Sequence, residues 1–172
     1  MKNWDNCKEF LENNNAPKRL VRHLEIVSSV AQEICDYILN IGIPLDVELI
    51  ICGAGLHDVG KIIYKEELNI HGNKHEKEGE KFLISKGVSE KIAKACIYHA
   101  EWQSTNQIEY LLIALSDKLW KGHRNSNLEL KIIDYIAKEK EIDRWDIFLE
   151  IDRFFESIAD SANERITFSK ID

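Results

Sequence analysis

Apolar residues recur at intervals of three and four along most of the chain, which is the pattern of an amphipathic helix. The pattern is clearest between residues 18 and 40, where one face would carry Leu20, Leu24, Val27, Ala31, Ile34 and Ile38. The same spacing, with helix start and stop signals, predicts further helices over residues 4–12, 75–86, 90–98, 107–120, 128–138 and 143–164.

Residues 46–57 are the ambiguous segment. The run Leu49-Ile50-Ile51 suits a strand, and periodicity alone fits a buried strand or a buried helix. Because no other segment is a strand candidate that could pair with it, we predict a helix. The chain should therefore be a single all-α domain over residues 1–172, with a core at about 19–121 and C-terminal helices at about 128–165.

Charge and cysteine content narrow the class of protein. The 23 Lys and Arg residues stand against 30 Asp and Glu, a net charge of -7, which argues against a large DNA or RNA partner. Small phosphorylated ligands stay open, because bound cations can reverse a local potential. The chain has no 18-residue apolar run, no apolar signal core and no Cys-x-x-Cys pair. We therefore expect a reduced, cytoplasmic protein without a membrane partner.

The candidate chemistry centres on His57 and Asp58, which directly follow the apolar run of residues 49–56. An ionisable pair is costly to bury without partners, and a metal ion is a common partner for imidazole and carboxylate. Further imidazole and carboxylate groups occur at long spacings, so that the whole series is His23, His57, Asp58, His75, His99 and Asp117.

This ordered series resembles the HD-domain superfamily of metal-dependent phosphohydrolases over roughly residues 19–121. The segment Leu56-His-Asp-Val-Gly-Lys61 resembles the His-Asp-Ile-Gly variant, and Ser116-Asp-Lys-Leu119 resembles the final Asp motif of that family. The resemblance implies a single-domain helical bundle of the HD type. It also implies one metal held by His23, His57, Asp58 and Asp117, and a second at His75 and His99 with Asp58 bridging.

The activity implied by the resemblance is cleavage of a phosphate ester or anhydride by a metal-bound hydroxide. The expected substrate is a small phosphorylated molecule, with a nucleotide as the preferred candidate. The mixed imidazole and carboxylate set favours iron or manganese, with zinc, nickel, cobalt or magnesium as alternatives. Asp58 would orient the nucleophile, and Lys61 would neutralise charge on the phosphate. Lys118, Lys121 and Arg124 are candidates for substrate binding. For each of these four cations the alternative is a solvated surface charge.

Two other functions use the same ligands. One is a di-iron oxygenase, as in inositol oxygenase-like members of the superfamily, and the other is a non-catalytic nucleotide-binding module. The Gly-Tyr-Pro extension associated with cyclic-di-GMP hydrolysis is absent from the sequence. The C-terminal helices would close the core, cover the pocket or form a homodimer face.

The remaining motifs, histidines and tryptophans have structural interpretations that need no catalytic role. Residues 55–61 satisfy Gly-x-x-x-x-Gly-Lys, but Ile62 stands where a phosphate-binding loop needs Ser or Thr, so we treat the match as coincidence. His71 and His123 are expected at the surface, with substrate contact as the alternative for His123. Trp102, Trp120 and Trp145 are expected in the core, with Trp102 also a candidate for the pocket because it closely follows His99.

Overall fold

The computed structural model describes residues 1–70 and 72–169, and helices dominate this part of the chain. The α-helices are α1 (Trp4–Asn13), α2 (Lys18–Asn40), α3 (Val47–Leu56), α4 (Lys74–Ser85), α5 (Glu90–Ala93), α6 (Ala95–Tyr98), α7 (Ile108–Leu119), α8 (Ser126–Glu139), α9 (Arg144–Asp160) and α10 (Ala162–Ser169). Short 3₁₀ turns cover Val59–Ile62, Lys65–Leu68 and Trp102–Ser104. No strand occurs within the described ranges, so the all-α prediction is confirmed.

Residues 46–57, whose sequence fits either a strand or a helix, contain α3, the central helix of the fold. Helix α3 begins at a cap in which the Asp46 side chain accepts the backbone N–H of Leu49 at 3.0 Å. Residues 49–56 are all buried, because α1, α2 and α7 pack around them. Gly53 lets α7 come close, since a Cβ there would lie 2.4 Å from the Ile113 side chain. The helix therefore carries the residues that follow it into the interior.

A second close approach places α4 against the turn that follows α3. A Cβ on Gly60 would lie 2.0 Å from the carbonyl oxygen of His75 and 2.9 Å from the backbone nitrogen of Gly79. Only glycine can occupy such a position without moving the backbone of α4. The same segment that satisfies Gly-x-x-x-x-Gly-Lys thus serves for helix packing, and no strand precedes it in the described residues.

Two predicted helices are interrupted. Residues 90–98 form α5 and α6, which meet at Lys94, and His99 directly follows the end of α6 as predicted. The predicted helix at 143–164 divides into α9 and α10 at Ser161. There the side-chain hydroxyl donates to the carbonyl oxygens of Ser157 and Ile158, which competes with regular helix bonding.

The C-terminal helices close the core on one side. Ile132 and Ile136 of α8, and Ile151 and Phe155 of α9, are fully buried. Trp145 lies on the outer face of α9 and is 68% exposed, so the expectation that it belongs to the core is wrong. The four cysteines are free and buried. No helix among the described residues is long and apolar enough to cross a membrane.

Candidate metal centre

The six predicted ligands meet at the end of α3. They come from α2 (His23), the end of α3 (His57 and Asp58), the first turn of α4 (His75), the residue after α6 (His99) and α7 (Asp117). The two central residues are the most deeply placed, since His57 is fully buried and Asp58 is only 4% exposed. The structure thus brings together groups that lie far apart in the sequence.

The two carboxylate oxygens of Asp58 face different histidines. Oδ2 lies 3.3 Å from Nε2 of His23 and 3.7 Å from Nε2 of His57. Oδ1 lies 3.0 Å from Nε2 of His75 and 3.7 Å from Nε2 of His99. One carboxylate therefore stands between two pairs of imidazole nitrogens, and we call these the Oδ2 side and the Oδ1 side.

Asp117 belongs to the Oδ2 side. Its Oδ1 atom lies 3.7 Å from Nε2 of His23 and 3.6 Å from Nε2 of His57. The donor atoms of His23, His57 and Asp117 fall within 4.8 Å of one another, and so do those of His57, Asp58 and His99. Both groups are close enough together to hold a metal ion, and His57 belongs to both.

The orientation of two rings is fixed by backbone carbonyls. Nδ1 of His57 lies 2.8 Å from the carbonyl oxygen of Ala54, and Nδ1 of His99 lies 3.2 Å from that of Ala95. Because a carbonyl oxygen can only accept, each Nδ1 carries the hydrogen, and each Nε2 presents a lone pair toward Asp58. This is the tautomer that a metal ligand needs.

The third ring is held by Glu67, which sequence reasoning missed. Oε2 of this buried carboxylate lies 2.6 Å from Nδ1 of His75 and also accepts the backbone N–H of His75 at 3.2 Å. Its other oxygen accepts the N–H of Lys74, also at 3.2 Å. Burial opposes ionisation of Glu67, but these bonds lower its pKa below the usual value. The carboxylate therefore both orients His75 and caps the start of α4.

Two nitrogens in the centre have no hydrogen-bond partner within the described residues: Nε2 of His57 and Nε2 of His75. With hydrogen on Nδ1, the Nε2 lone pair of each ring faces the carboxylate of Asp58, so that acceptor meets acceptor in a buried place. A cation between the two atoms removes this repulsion. The residues present therefore fit a metal ion.

A proton can take the same place, and the directions of the pKa shifts agree with this. Burial lowers the pKa of His57, but the Asp58 and Asp117 carboxylates outweigh it and hold that pKa above its usual value. Burial likewise opposes protonation of His75, but the nearby Asp58 and Glu67 carboxylates outweigh it and raise that pKa. Burial would raise the pKa of Asp58, but the neighbouring histidines, His57 first, hold it well below its ordinary range.

His99 behaves differently from the other rings. Burial lowers its pKa to about 4, and the charge of a protonated His57 adds to the effect. The ring is therefore neutral near pH 7 and needs no deprotonation before it can ligate. Cys96 is the nearby thiol, but it donates to the carbonyl of Leu56, and burial raises its pKa well above the usual value. The donor set is thus imidazole and carboxylate, which suits a catalytic transition-metal site better than a structural zinc site.

The centre opens into a cleft of about 390 Å³, and three of the four predicted cations line it. Nζ of Lys61 lies 2.5 Å from Oδ2 of Asp58. Nζ of Lys121 lies 3.7 Å from Oδ2 of Asp117, and its side chain is 43% exposed. Lys118 is half-buried, and burial lowers its pKa. These three positions are compatible with contacts to an anionic ligand.

Arg124 is not in the cleft, which corrects the prediction of a substrate contact for it. Its guanidinium donates to both carboxylate oxygens of Glu129, at 2.9 and 2.7 Å, and to Asp152 at 2.6 Å. These bonds tie α8 to α9. The prediction failed because adjacency to Asp117 in sequence says nothing about partners on two later helices.

Trp120, rather than Trp102, is the aromatic residue of the cleft. Its ring packs edge-to-face on His23, with centroids 5.2 Å apart, and lines the cavity. Trp102 is buried outside the lining. Arg19 also lines the cleft, one helical turn before His23 on α2. Both positions could have been found from helical spacing, since each lies three or four residues from a predicted ligand.

His71 and His123 are the two histidines outside the predicted ligand series. His123 is exposed, as expected. His71 lies outside the described residues.

Comparisons with known proteins agree with this geometry. The model of a family described as HD domain matches residues 20–139, well over half of the chain. The match extends beyond residue 121 and includes α8, so it is longer than the region of the sequence motifs. No solved structure matches the chain.

Two curated relatives align with parts of the chain. A tRNA (cytidine(56)-2'-O)-methyltransferase from Picrophilus torridus is 32% identical over 95 residues, which cover 55% of this chain and 25% of that protein. An uncharacterized protein from Methanocaldococcus jannaschii is 30% identical over 115 residues, which cover 62% of this chain and 64% of that protein. The chain thus spans less than two thirds of each of these relatives.

The family match and the helical structure coincide with a buried His and Asp cluster at the expected positions. The chain belongs to the HD domain family, a family of metal-dependent phosphohydrolases.

Proposed function

We propose that this protein is a phosphohydrolase that cleaves a phosphate ester or anhydride of a small phosphorylated molecule, a nucleotide. One observation carries the proposal: a single buried carboxylate, Asp58, presents one oxygen to His23 and His57 and the other to His75 and His99. This arrangement suits two cations that share one bridging ligand.

The ligands divide between the two sides. On the Oδ2 side, His23, His57 and Asp117 would hold one divalent ion together with Asp58. On the Oδ1 side, His75 and His99 would hold the second. Such ions act as Lewis acids toward phosphoryl oxygens and lower the pKa of water. Iron or manganese is the preferred metal, and zinc, nickel, cobalt or magnesium are alternatives.

The remaining groups of the cleft support hydrolysis of an anion. Asp58 is held ionised by its neighbours, so it can accept a hydrogen bond from an attacking water and orient it. Lys61 can neutralise charge on the phosphate, and Lys118 and Lys121 can bind its outer oxygens. The reaction adds water across the P–O bond: the oxygen of water joins phosphorus, and a proton goes to the leaving oxygen.

The walls of the cleft support a nucleotide. Its volume of about 390 Å³ lies in the range of small-molecule sites. Apolar side chains of Leu20, Leu68, Ile70 and Trp120 form part of the lining, and they offer a surface for a base or another flat group. The methyl transfer named for the Picrophilus relative is not part of this proposal, since the alignment spans only a quarter of that protein.

The test is release of phosphate from a panel of nucleoside mono-, di- and triphosphates and p-nitrophenyl phosphate. The protein is supplied with Mn²⁺ or Fe²⁺, with and without oxygen. We expect metal-dependent release without oxygen, and its loss in Asp58→Asn but not in the exposed control His123→Ala. Oxygen uptake without phosphate release would favour the oxygenase. Thermal stabilisation by nucleotides without turnover would favour the binding module.

A further inference from the structure

We propose that Lys61 sets the metal affinity of the centre by competing for Oδ2 of Asp58. This inference rests on the proposed metal binding and adds that the two oxygens of Asp58 are not equally available to a metal ion. It concerns binding itself, so that it can be tested without any substrate.

The ion pair is short and largely shielded from water. Lys61 lies in the 3₁₀ turn at Val59–Ile62, three residues after Asp58, and its Nζ is 2.5 Å from Oδ2. The Lys61 side chain is 19% exposed and that of Asp58 only 5%. An ion pair in such a place is stronger than one at the open surface, where screening leaves little net energy.

The ammonium engages only one of the two oxygens. Oδ2 is the atom that also faces His23 and His57, whereas Oδ1 faces His75 and His99. A cation entering the Oδ2 side must share that oxygen with the ammonium or displace it. A cation entering the Oδ1 side keeps an oxygen that Lys61 does not touch. Lys61 therefore weakens metal binding chiefly on the Oδ2 side.

Displacement of Lys61 has a consequence for the ligand. The freed ammonium still lines the cleft and can pair with a phosphate there. Metal binding on the Oδ2 side should then strengthen phosphate binding, and phosphate should strengthen metal binding by the same factor. The lysine would thus link the two binding events.

Lys121 provides a matched control. It lies one helical turn after Asp117 and its Nζ is 3.7 Å from Oδ2 of that ligand, but its side chain is 43% exposed. Replacing either lysine with methionine removes one positive charge near the centre. Only the replacement of Lys61 removes a largely shielded competitor for an oxygen of the bridging carboxylate.

The experiment is calorimetric titration of chelator-treated, desalted protein with Mn²⁺. In a His75→Ala background, which leaves the Oδ2 side, we expect Lys61→Met to lower the dissociation constant about tenfold. In a His23→Ala, Asp117→Ala background, which keeps only His57 and the bridging Asp58 of the Oδ2 ligands, the change should stay below about threefold. Lys121→Met should change either dissociation constant by less than about threefold. Lys61→Arg should bind Mn²⁺ with the same affinity as the protein that keeps Lys61 in the same background.

An unchanged or weaker affinity in Lys61→Met on the Oδ2 side would overturn the inference, and so would an equal gain in Lys121→Met. Circular dichroism checks that each variant folds. If Lys61→Met does not fold, Lys61→Gln is used in its place. If the unmodified protein binds Mn²⁺ and releases phosphate but Lys61→Met binds no tighter, this inference alone fails. If the unmodified protein binds no metal, the proposed function fails.

Discussion

Replacing Glu67 with alanine tests whether His75 is held in place from outside the ligand set. The Glu67 carboxylate is buried and lies 2.6 Å from Nδ1 of His75. It also accepts two backbone N–H groups at the start of α4, from Lys74 and His75. Without it, the ring would lose the acceptor that keeps its hydrogen on Nδ1 and its lone pair toward Asp58.

The size of the effect follows from these contacts. Removing a carboxylate that orients a ligating histidine typically costs about 10–100-fold in metal affinity, or about 1.4–2.8 kcal/mol. The loss should be confined to the Oδ1 side, because Glu67 contacts His75 and not the histidines of the other side. Loss of the cap on α4 costs about 1 kcal/mol more in folding stability, which lowers the melting temperature by about 2–4 °C.

The assay is Mn²⁺ titration by calorimetry, with melting curves on the same samples. Glu66→Ala is the control, because Glu66 is the neighbouring residue with the same charge and an exposed side chain. Glu67→Gln keeps an acceptor for the ring N–H, so its metal affinity and melting temperature should lie between those of Glu67→Ala and the unmodified protein. Equal affinity for both ions in Glu67→Ala and the unmodified protein would refute the reasoning.

Further predictions concern packing, pH and the cleft. Gly60→Ala would put a Cβ 2.0 Å from the His75 carbonyl oxygen and force α4 away, so calorimetry should show loss of the ion on the Oδ1 side; full retention would contradict this. The pKa of His57 and the pKa of His75 are raised above the ordinary value of 6.5. The two protonated rings therefore stabilise chelator-treated protein fully below pH 6.5, and this stability is lost as pH rises through the raised pKa values. Mn²⁺ binds only the neutral rings, so its binding should tighten over the same pH range. Between about pH 5 and 8, the melting temperature of chelator-treated protein should fall as pH rises, and the increase that Mn²⁺ gives should grow. The opposite trends would contradict this prediction. Lys118→Met should raise the KM for a phosphate ester at unchanged metal content, as phosphate release would show; an unchanged KM would remove Lys118 from the binding surface.

The helical fold and the cluster of His and Asp residues can be predicted from the sequence for separate physical reasons. Helical spacing is a local property, so α2 and α7 could be placed from their apolar faces alone. The six clustered residues were recognised from their order along the chain. The helix predicted for α3 rests on the absence of partner strands, and the structure confirms it, with residues 49–56 buried among other helices.

What the sequence could not predict depends on contacts between distant segments. Glu67 lies in a loop region with no periodicity, and only the structure shows that it reaches His75. Arg124 looks like a cation beside Asp117, yet its partner Asp152 is 28 residues away on another helix. Trp145 has the composition of a core residue but faces outward on α9, because other residues of that helix fill the core.

The most direct test of the central claim is elemental analysis of metal in protein purified without chelator or metal-affinity resin. The arrangement around Asp58 predicts close to two transition-metal ions per chain, falling to about one in His75→Ala and staying at two in the exposed control His123→Ala. A single ion that survives in His75→Ala would remove the Oδ1 side from the metal centre. No transition metal in the unmodified protein would contradict the account as a whole.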